Sequence, residues 1–494
     1  MNRRKRSWTS YTPFLFGAIL IGVAFFFGFS YFTKTGIFKV PGVVYYDESL
    51  NDDELGILNG VFSEDVKLDK DVYISAENYL EMPSLSDGEF LENVYVLVTD
   101  FYNTETNIEI SDPDSVLSAA NDDEDVLLID VGDLSFDKKL LSINDNYYLD
   151  TFNSGAVFRV IKFVSDKYNE EIEPLVGEIF TQSFPEKSSV LSFAQTGVTA
   201  LSRGMNKKLD EVDDPVYFAS KIKDYLSGFD LTHTSNESSF SDFASGSNIC
   251  SDERFFNTLT SIGLDIVELT GNHNQDCGDE DAAKTIDLYH ENNIQTVGGG
   301  KNIEEAAIPL EIKEKGNNIT FLAYNLSTGG ITNDDTPGAN QYNEENFKTE
   351  LDVAKTRGDF VIVDIQYFEC SEYVSESEDV TCDYPQNTAG DEVEFFRHLI
   401  ELGADMVVGT SAHQPQSFEL YENGVIYYGL GNLFFDQVWW PGTTRSLILS
   451  HYFYNGKLLQ TKIVPTVYDI NMQTDLMDTE SSRWFLSRLI NAKP

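Results

Sequence analysis

Four short segments carry the side chains most able to do chemistry: TGVTALSRG (196–204), THTSNESSF (232–240), ELTGNHNQDCG (268–278) and VVGTSAHQPQ (407–416). Each places polar residues at or just beyond an apolar run that reads as a strand, and α/β folds build their sites at the carboxyl ends of strands. Together they supply a guanidinium at Arg203, a carboxylate at Glu237, an amide at Asn272 and imidazoles at His273 and His413. Carboxylate, imidazole and amide oxygen make mixed metal sites, and imidazole is the commonest side-chain acid or base. Each residue also has a plain structural use. Asn272 and His273 could cap the next helix, His413 beside Pro415 could serve a turn, and Glu237 is one acid among 82. Gly298, Gly299, Gly300 and Lys301 hint at a phosphate loop, but Asn302 stands where Ser or Thr is required and the first Gly is misplaced. That segment reads as a strand-to-helix turn, and His233, His290, His398 and His451, which lack any motif, read as structural.

The elements that must position these residues follow from periodicity. From Ser188 onward, apolar runs recur at 190–199, 264–269, 318–325, 360–368, 405–410 and 424–435. Amphipathic stretches with a Gly or Asn stop lie between them, including DERFFNTLTSIG, EDAAKTIDLYHENN and GDEVEFFRHLIELG. This predicts one α/β domain over 188–470, with 332–346 and 371–392 as long acidic loops and 471–494 as a tail. Upstream, VPGVVYYDESLNDDELGILNGVF reads as strand, turn and helix, 94–101 and 125–133 as strands, and 156–168 as a helix. That alternation predicts a smaller α/β domain over 40–185, in which no motif carries chemistry.

Charge narrows the function classes. With 82 Asp and Glu against 34 Lys and Arg the formal charge is −48, which excludes nucleic-acid binding because phosphate contacts need cations in number. A hydrophobic fraction of 41% supports sizeable cores. Up to Lys34 the chain instead carries Arg3, Arg4, Lys5, Arg6 and Lys34 and no acid. Pro13 to Phe32 is free of charge, and twenty helical residues at about 1.5 Å each span the hydrocarbon core of a bilayer. The expectation is a basic cytoplasmic tail (1–12), an uncleaved transmembrane anchor (13–32) and an extracytoplasmic remainder, in keeping with the positive-inside bias. Cys250, Cys277, Cys370 and Cys382 all fall in the exported part, and the expected disulfides are Cys250–Cys277 and Cys370–Cys382.

The four segments, taken with their neighbours, resemble the CapA family of metallophosphoesterase-like proteins linked to poly-γ-glutamate capsule synthesis. The resemblance covers roughly Val190 to Val467. The family's strand followed by Gly-Asp and a later Arg is similar to Gly197, Val198 and Arg203, with Val in place of Asp. Its Asn-x-Glu turn resembles Ser235, Asn236 and Glu237, and its Asn-Asn-His-x-x-Asp-x-Gly resembles Gly271, Asn272, His273, Asp276 and Gly278. TVGGGKNIEEA is similar to its Val-Gly-x-Gly-x-Asn segment. Its His-Trp-Gly strand end corresponds to Gln366, Tyr367 and Phe368, and in its Gly-x-His-Pro-His turn Ser411 replaces the first His while His413 matches the second. IYYGLGNLFFDQ is close to its closing signature.

What the resemblance implies is an α/β class fold: a metallophosphoesterase-like αββα sandwich preceded by the smaller α/β domain and the transmembrane helix. Such a hydrolase clamps two metal ions about 3.5–4 Å apart. Here Glu237, Asn272, His273 and His413 are the implied ligands, and His273 and Arg203 the implied catalytic groups. Val198, Gln366 and Ser411 remove three strong ligands, so the expected cofactor is one divalent ion of Mn, Zn or Fe type rather than two, or none. The function implied is a metal-dependent phosphoesterase or hydrolase in capsule or envelope polymer synthesis. The alternative is a non-catalytic envelope protein that keeps the fold to bind a polymer or a membrane synthase.

Overall fold

The computed structural model describes residues 43–62, 68, 72–113, 125–166, 168–176, 184–326, 329–367, 392–439 and 442–492. The expected anchor at 13–32 and the Cys370–Cys382 pair lie outside them. Among the described residues no helix is long and apolar enough to cross a membrane. The chain divides into two compact units, one of residues 1–95, 112–114 and 156–183, the other of 96–111, 115–155 and 184–494.

In the first unit, β1 (Val44–Tyr46) leads to α1 (Asp52–Val61), whose Asn51 cap and Glu54 bond each other's backbone amides, satisfying donors a helix start leaves open. β1 pairs in parallel with β2 (Val72–Glu81). β3 (Glu89–Asp100) pairs from Glu89 to Tyr95 with a later antiparallel strand, Ser154–Val164, giving the order β1, β2, Ser154–Val164, β3. This corrects the helix expected at 156–168. The run is buried almost throughout, so its apolar residues fit both periods, and β-branched Val157, Val160 and Ile161 suit a central strand. Leu58, Val72, Ile74, Ile161 and Phe163 form its core.

In the second unit the short β4 (Lys138–Leu140) pairs with the end of β3, and Ser154–Val164 is numbered β5. A parallel series follows: β6 (Leu191–Thr199), α2 (Gly204–Val212), β7 (Leu231–Asn236), α3 (Phe256–Ser261), β8 (Ile266–Glu268), α4 (Asp279–Glu291) and β9 (Gln295–Val297). Next come β10 (Leu310–Glu314), β11 (Asn317–Asn325), α5 (Glu344–Arg357), β12 (Phe360–Gln366), α6 (Glu392–Leu402), β13 (Met406–Thr410), β14 (Phe418–Tyr421) and β15 (Gly424–Tyr427). β16 (Asn432–Phe434), β17 (Arg445–Tyr454), β18 (Lys457–Tyr468), β19 (Thr474–Leu476) and α7 (Thr479–Asn491) close the chain. One sheet runs β9-β8-β7-β6-β17-β18-β19 with β16 beside β6, and the other β10-β11-β12-β13-β15-β14.

Side-chain alternation sets the layers. Phe193, Ile266 and Leu449 of the first sheet share one cluster with Phe321, Ile362 and Val408 of the second, so these faces meet. The next residue along each strand points the other way. Ala194, Val267 and Ile448 pack under Met205, Leu259 and Tyr289 from α2, α3 and α4. Leu322, Val361 and Val407 pack under Phe347 and Leu351 of α5 and Phe396 of α6. The result is helix, sheet, sheet, helix, the sandwich the resemblance implied.

A polar chain crosses the inter-sheet layer. Gln195 Nε2 donates to Asp364 Oδ1 (2.6 Å), His233 Nε2 lies 3.3 Å from Asp364 Oδ2, and His451 Nε2 meets Gln195 Oε1 at 3.3 Å. Burial, reinforced by His233, pushes the His451 imidazole down to about 3, so it is neutral at ordinary pH. Both histidines therefore have structural surroundings, as read from the sequence.

Candidate functional site

The parallel strands of both sheets deliver their carboxyl ends to one rim. Val198 on β6 is paired with Ser235 on β7 and with Asn432 on β16. Glu237 follows β7, with its amide bonded to Thr199 O (3.0 Å). Gly271 and Asn272 follow β8, Gln366 ends β12 beside Thr410 of β13, and Ser411 and His413 follow β13. Two glycines allow the closeness. A Cβ on Gly197 would stand 2.0 Å from Gly431 O, and one on Gly271 would stand 2.8 Å from Glu237 Cα. The THTSNESSF segment is thus largely strand, with its polar residues buried between neighbours rather than looped out.

Glu237 and His413 meet at the centre: Glu237 Oε2 lies 3.7 Å from His413 Nε2, with residue exposures of 1% and 4%. The protonation of the imidazole follows from Asn432. Its Nδ2 donates toward His413 O (2.9 Å), Thr443 O (3.1 Å) and Gln437 Oε1 (3.2 Å), so its Oδ1 is the acceptor for His413 Nδ1 at 2.8 Å. The proton sits on Nδ1, and Nε2 is turned to the carboxylate as metal-binding histidines are oriented. Asn272 Oδ1 accepts from Gln366 Nε2 (3.1 Å). Gln366 Oε1 and Ser411 Oγ, at the two positions where the resemblance implies His, are buried without a hydrogen-bond partner among the described residues. Ser411 also holds a φ of +76°, strained for a residue with a side chain.

Two nominated residues sit apart from this centre. His273 Nδ1 is paired with Asp276 at 2.8 Å, partly exposed, and touches neither Glu237 nor His413. Arg203 donates to Asp436 Oδ1 (2.6 Å) and stacks 4.5 Å over Phe435, whose ring lies 5.2 Å from that of His413. Asp436 Oδ2 also accepts from Gly204 N at 2.9 Å. Asn432 and Asp436 were not singled out from sequence, although both lie in the GLGNLFFDQ run that signalled the family. The 271–278 loop is fastened by the expected Cys250–Cys277 disulfide (Cα–Cα 5.7 Å) and by Asn274 Nδ2 on Leu269 O (2.8 Å).

Behind the rim, Glu268 accepts from the amide and hydroxyl of Thr270. Burial, followed by the nearby Asp364 charge, raises its carboxyl to about 7. Neither Glu268 nor Asp364 stands out in the sequence, because each reads as one polar residue in an apolar strand.

These donors bear on the metal directly. Among the described residues no three His, Cys, Asp or Glu side chains are grouped to hold a metal ion. A second ion has no bridging carboxylate at Val198, which is apolar and 1% exposed. A single ion would draw on one carboxylate (Glu237), one imidazole nitrogen (His413) and neutral oxygens from Asn272 and Gln366, a set of the mixed kind.

Residues 192–437 match the family model for "Bacterial capsule synthesis protein PGA_cap". The chain is 25% identical over 210 residues to the "Capsule biosynthesis protein CapA" of Bacillus anthracis, covering 41% of this chain and 48% of that protein. It is 23% identical over 247 residues to the "PGA biosynthesis protein CapA" of Bacillus subtilis (strain 168), covering 49% and 60%. The chain therefore spans about half the length of these curated relatives. Among solved structures, a hypothetical protein from Thermus thermophilus aligns with a TM-score of 0.34 and 13% identity, covering 56% of this chain and 99% of that one. The NAD nucleotidase of Haemophilus influenzae aligns at 0.30 and 10%, covering 61% and 55%.

Proposed function

The chain is a divergent member of the CapA family, and from that premise we propose that it serves the synthesis of a capsule or envelope polymer outside the cytoplasm, anchored by residues 13–32. Its site holds one divalent ion of Mn, Zn or Fe type, on Glu237, His413 Nε2 and Asn272 Oδ1, and engages an anionic polymer of the poly-γ-glutamate kind through it. The observation that carries this reading is His413, whose Nδ1–H is committed to Asn432 while Nε2 faces Glu237. Such an ion also answers an electrostatic need. A chain of formal charge −48 repels a polyanion unless a cation bridges them.

Hydrolysis of a phosphoester is the second reading, favoured by the His273–Asp276 pair. With its Nδ1 proton held by Asp276, His273 can exchange a proton at Nε2 with a leaving oxygen. Arg203, tied to Asp436 and Phe435, supports the His413 ring rather than meeting substrate in this arrangement. The ion, when bound, supplies the charge that polarises an anionic oxygen.

Elemental analysis of the purified chain tests both readings. One ion at most is expected, lost in His413→Ala and in Glu237→Gln but kept in His273→Ala. Retention of polyglutamate on the protein should vanish with chelator. Two tightly held ions with brisk phosphodiester hydrolysis would overturn the one-ion site and favour the hydrolase.

A further inference from the structure

Asn432 opens β16 and is fully buried. Its backbone is fastened on both sides, for Val198 N donates to Gly431 O (2.9 Å) and Ala200 N to Phe434 O (2.9 Å). Its side chain is fixed as tightly, by segments distant from one another in sequence. The acceptors around Nδ2 are His413 O, just beyond β13, and Thr443 O and Gln437 Oε1, from the stretch ahead of β17. That stretch is itself braced: Thr443 Oγ1 donates to Gln437 O (2.7 Å), and Tyr468 Oη of β18 donates to Thr443 O (2.7 Å). Turning the amide over would aim Oδ1 at three oxygens, so the surroundings admit one orientation.

The same surroundings explain why the residue is an amide. A carboxylate is a common partner for the second nitrogen of a metal-binding imidazole, and Asp276 already stands in that relation to His273. At position 432 a carboxylate would have no hydrogen for His413 O, Thr443 O or Gln437 Oε1. An amide answers those oxygens and still offers Oδ1 to the ring. His413 meets that oxygen along one edge, through Nδ1 at 2.8 Å, and the Phe435 ring across its face at 5.2 Å. A face contact alone would let the imidazole turn over and exchange its nitrogens for carbons. The bond to Oδ1 forbids that turn and decides which nitrogen carries the proton.

We propose that Asn432 is a positioning residue of the rim: by holding the Nδ1 proton of His413 it fixes the tautomer and the plane of the ring, and so presents the Nε2 lone pair to a divalent ion beside Glu237. The tautomer part of this inference stands without an ion, and the ion part rests on the proposed function. Asn432 acts through the His413 hydrogen bond, whereas Tyr468 only braces the stretch that Asn432 leans on.

The test uses the full-length chain carrying isotope-labelled histidine. It has six histidines, and the His413 signals are those absent from His413→Gln. Two-bond proton–nitrogen spectra with chelator at about pH 8, above the ordinary imidazole range, should show a proton on His413 Nδ1 and none on Nε2. Asn432→Leu should lose that tautomer and bind zinc about 10–100-fold more weakly in calorimetric titration. Asn432→Asp keeps the acceptor and lacks the donors, so it should melt lower yet retain the tautomer and bind zinc at least as well. Tyr468→Phe should likewise melt lower and leave both readouts unchanged. A His413 proton on Nε2 in the native chain would overturn the proposal, and this reading stands even where Asn432→Leu does not fold. So would a folded Asn432→Leu with the native tautomer, or zinc affinity that falls in step with melting temperature in all three variants. A native chain with the expected tautomer that binds no zinc would overturn the proposed ion and the ion part of this inference, while supporting the tautomer part.

Discussion

Glu54 and Glu237 are each 1% exposed, yet their surroundings differ in kind. In the first unit Glu54 takes both Nε and Nη2 of Arg159, the latter at 2.8 Å, and its Oε2 also accepts from the Asn51 amide at 2.5 Å. Arg159 spends its remaining donors on Asn78 Oδ1 (3.1 Å) and Ser49 O (2.7 Å). Both carboxylate oxygens of Glu54 are answered, as a buried charge requires when it serves only the fold, and Glu92 Oε2 stands 4.0 Å from Arg159 Nε. In the second unit Glu237 faces an imidazole at 3.7 Å, beyond hydrogen-bond length, beside buried Gln366 and Ser411 oxygens that lack partners among the described residues. Burial of a charged pair therefore does not by itself mark a site. What sets the rim pair apart is its place at the strand ends, where further oxygens from Gln366 and Ser411 stand unanswered among the described residues.

The largest effect should come from breaking the complete pair. Arg159→Met leaves Glu54 buried and uncompensated, an expected loss of about 3–5 kcal/mol, whereas adding Glu54→Leu should recover most of it. Urea denaturation measures both, and a single-variant loss near zero would erase the contrast.

Next is the pH dependence set behind the rim. The folded chain holds the Glu268 proton up to about pH 7, while the unfolded chain releases it near the ordinary 4.5. The stabilisation is thus fully present below about 4.5 and is lost as pH rises through about 7, on the order of 3 kcal/mol in all. Glu268→Gln should flatten that slope in melts taken across the window, and an unaltered slope would assign it to other groups.

The rim pair, joined at 3.7 Å, should be cheaper to break than the Arg159–Glu54 pair. His413→Gln is expected to cost about 1–3 kcal/mol while abolishing ion binding. A loss as large as that of Arg159→Met, without effect on bound ion, would make His413 a structural residue.

The smallest effect belongs to Arg203, whose side chain is 30% exposed and paired with Asp436. Arg203→Ala should shift stability by about 1 kcal/mol or less. A larger shift would move Arg203 to the side of the complete pair.

Much of this was legible in the sequence, and the parts that were not share a cause. The strands 191–199, 266–268 and 360–366, the helices between them, the strand-end placement of Glu237, Asn272 and His413, and the Cys250–Cys277 bridge all followed from residue pattern or from motifs met in order. Periodicity is a local property, fixed by which face of an element must be buried. It fails where both faces are buried, so 154–164 became a central strand although its apolar spacing also fits a helix.

Partnership is not local at all. Gln366 meets Asn272 across 94 residues and His413 meets Asn432 across 19. His273, next to Asn272 in sequence, turns instead to Asp276 three residues on. Residue pattern dictated the α/β series and the kinds of side chain delivered to its strand ends, while the layering came with the family resemblance. Packing settled which imidazole faces the carboxylate, and that Phe418 of β14 and Leu486 of α7 line one cavity. Those outcomes depend on how separate strands and a distant helix come together, and no stretch of neighbouring residues contains that information.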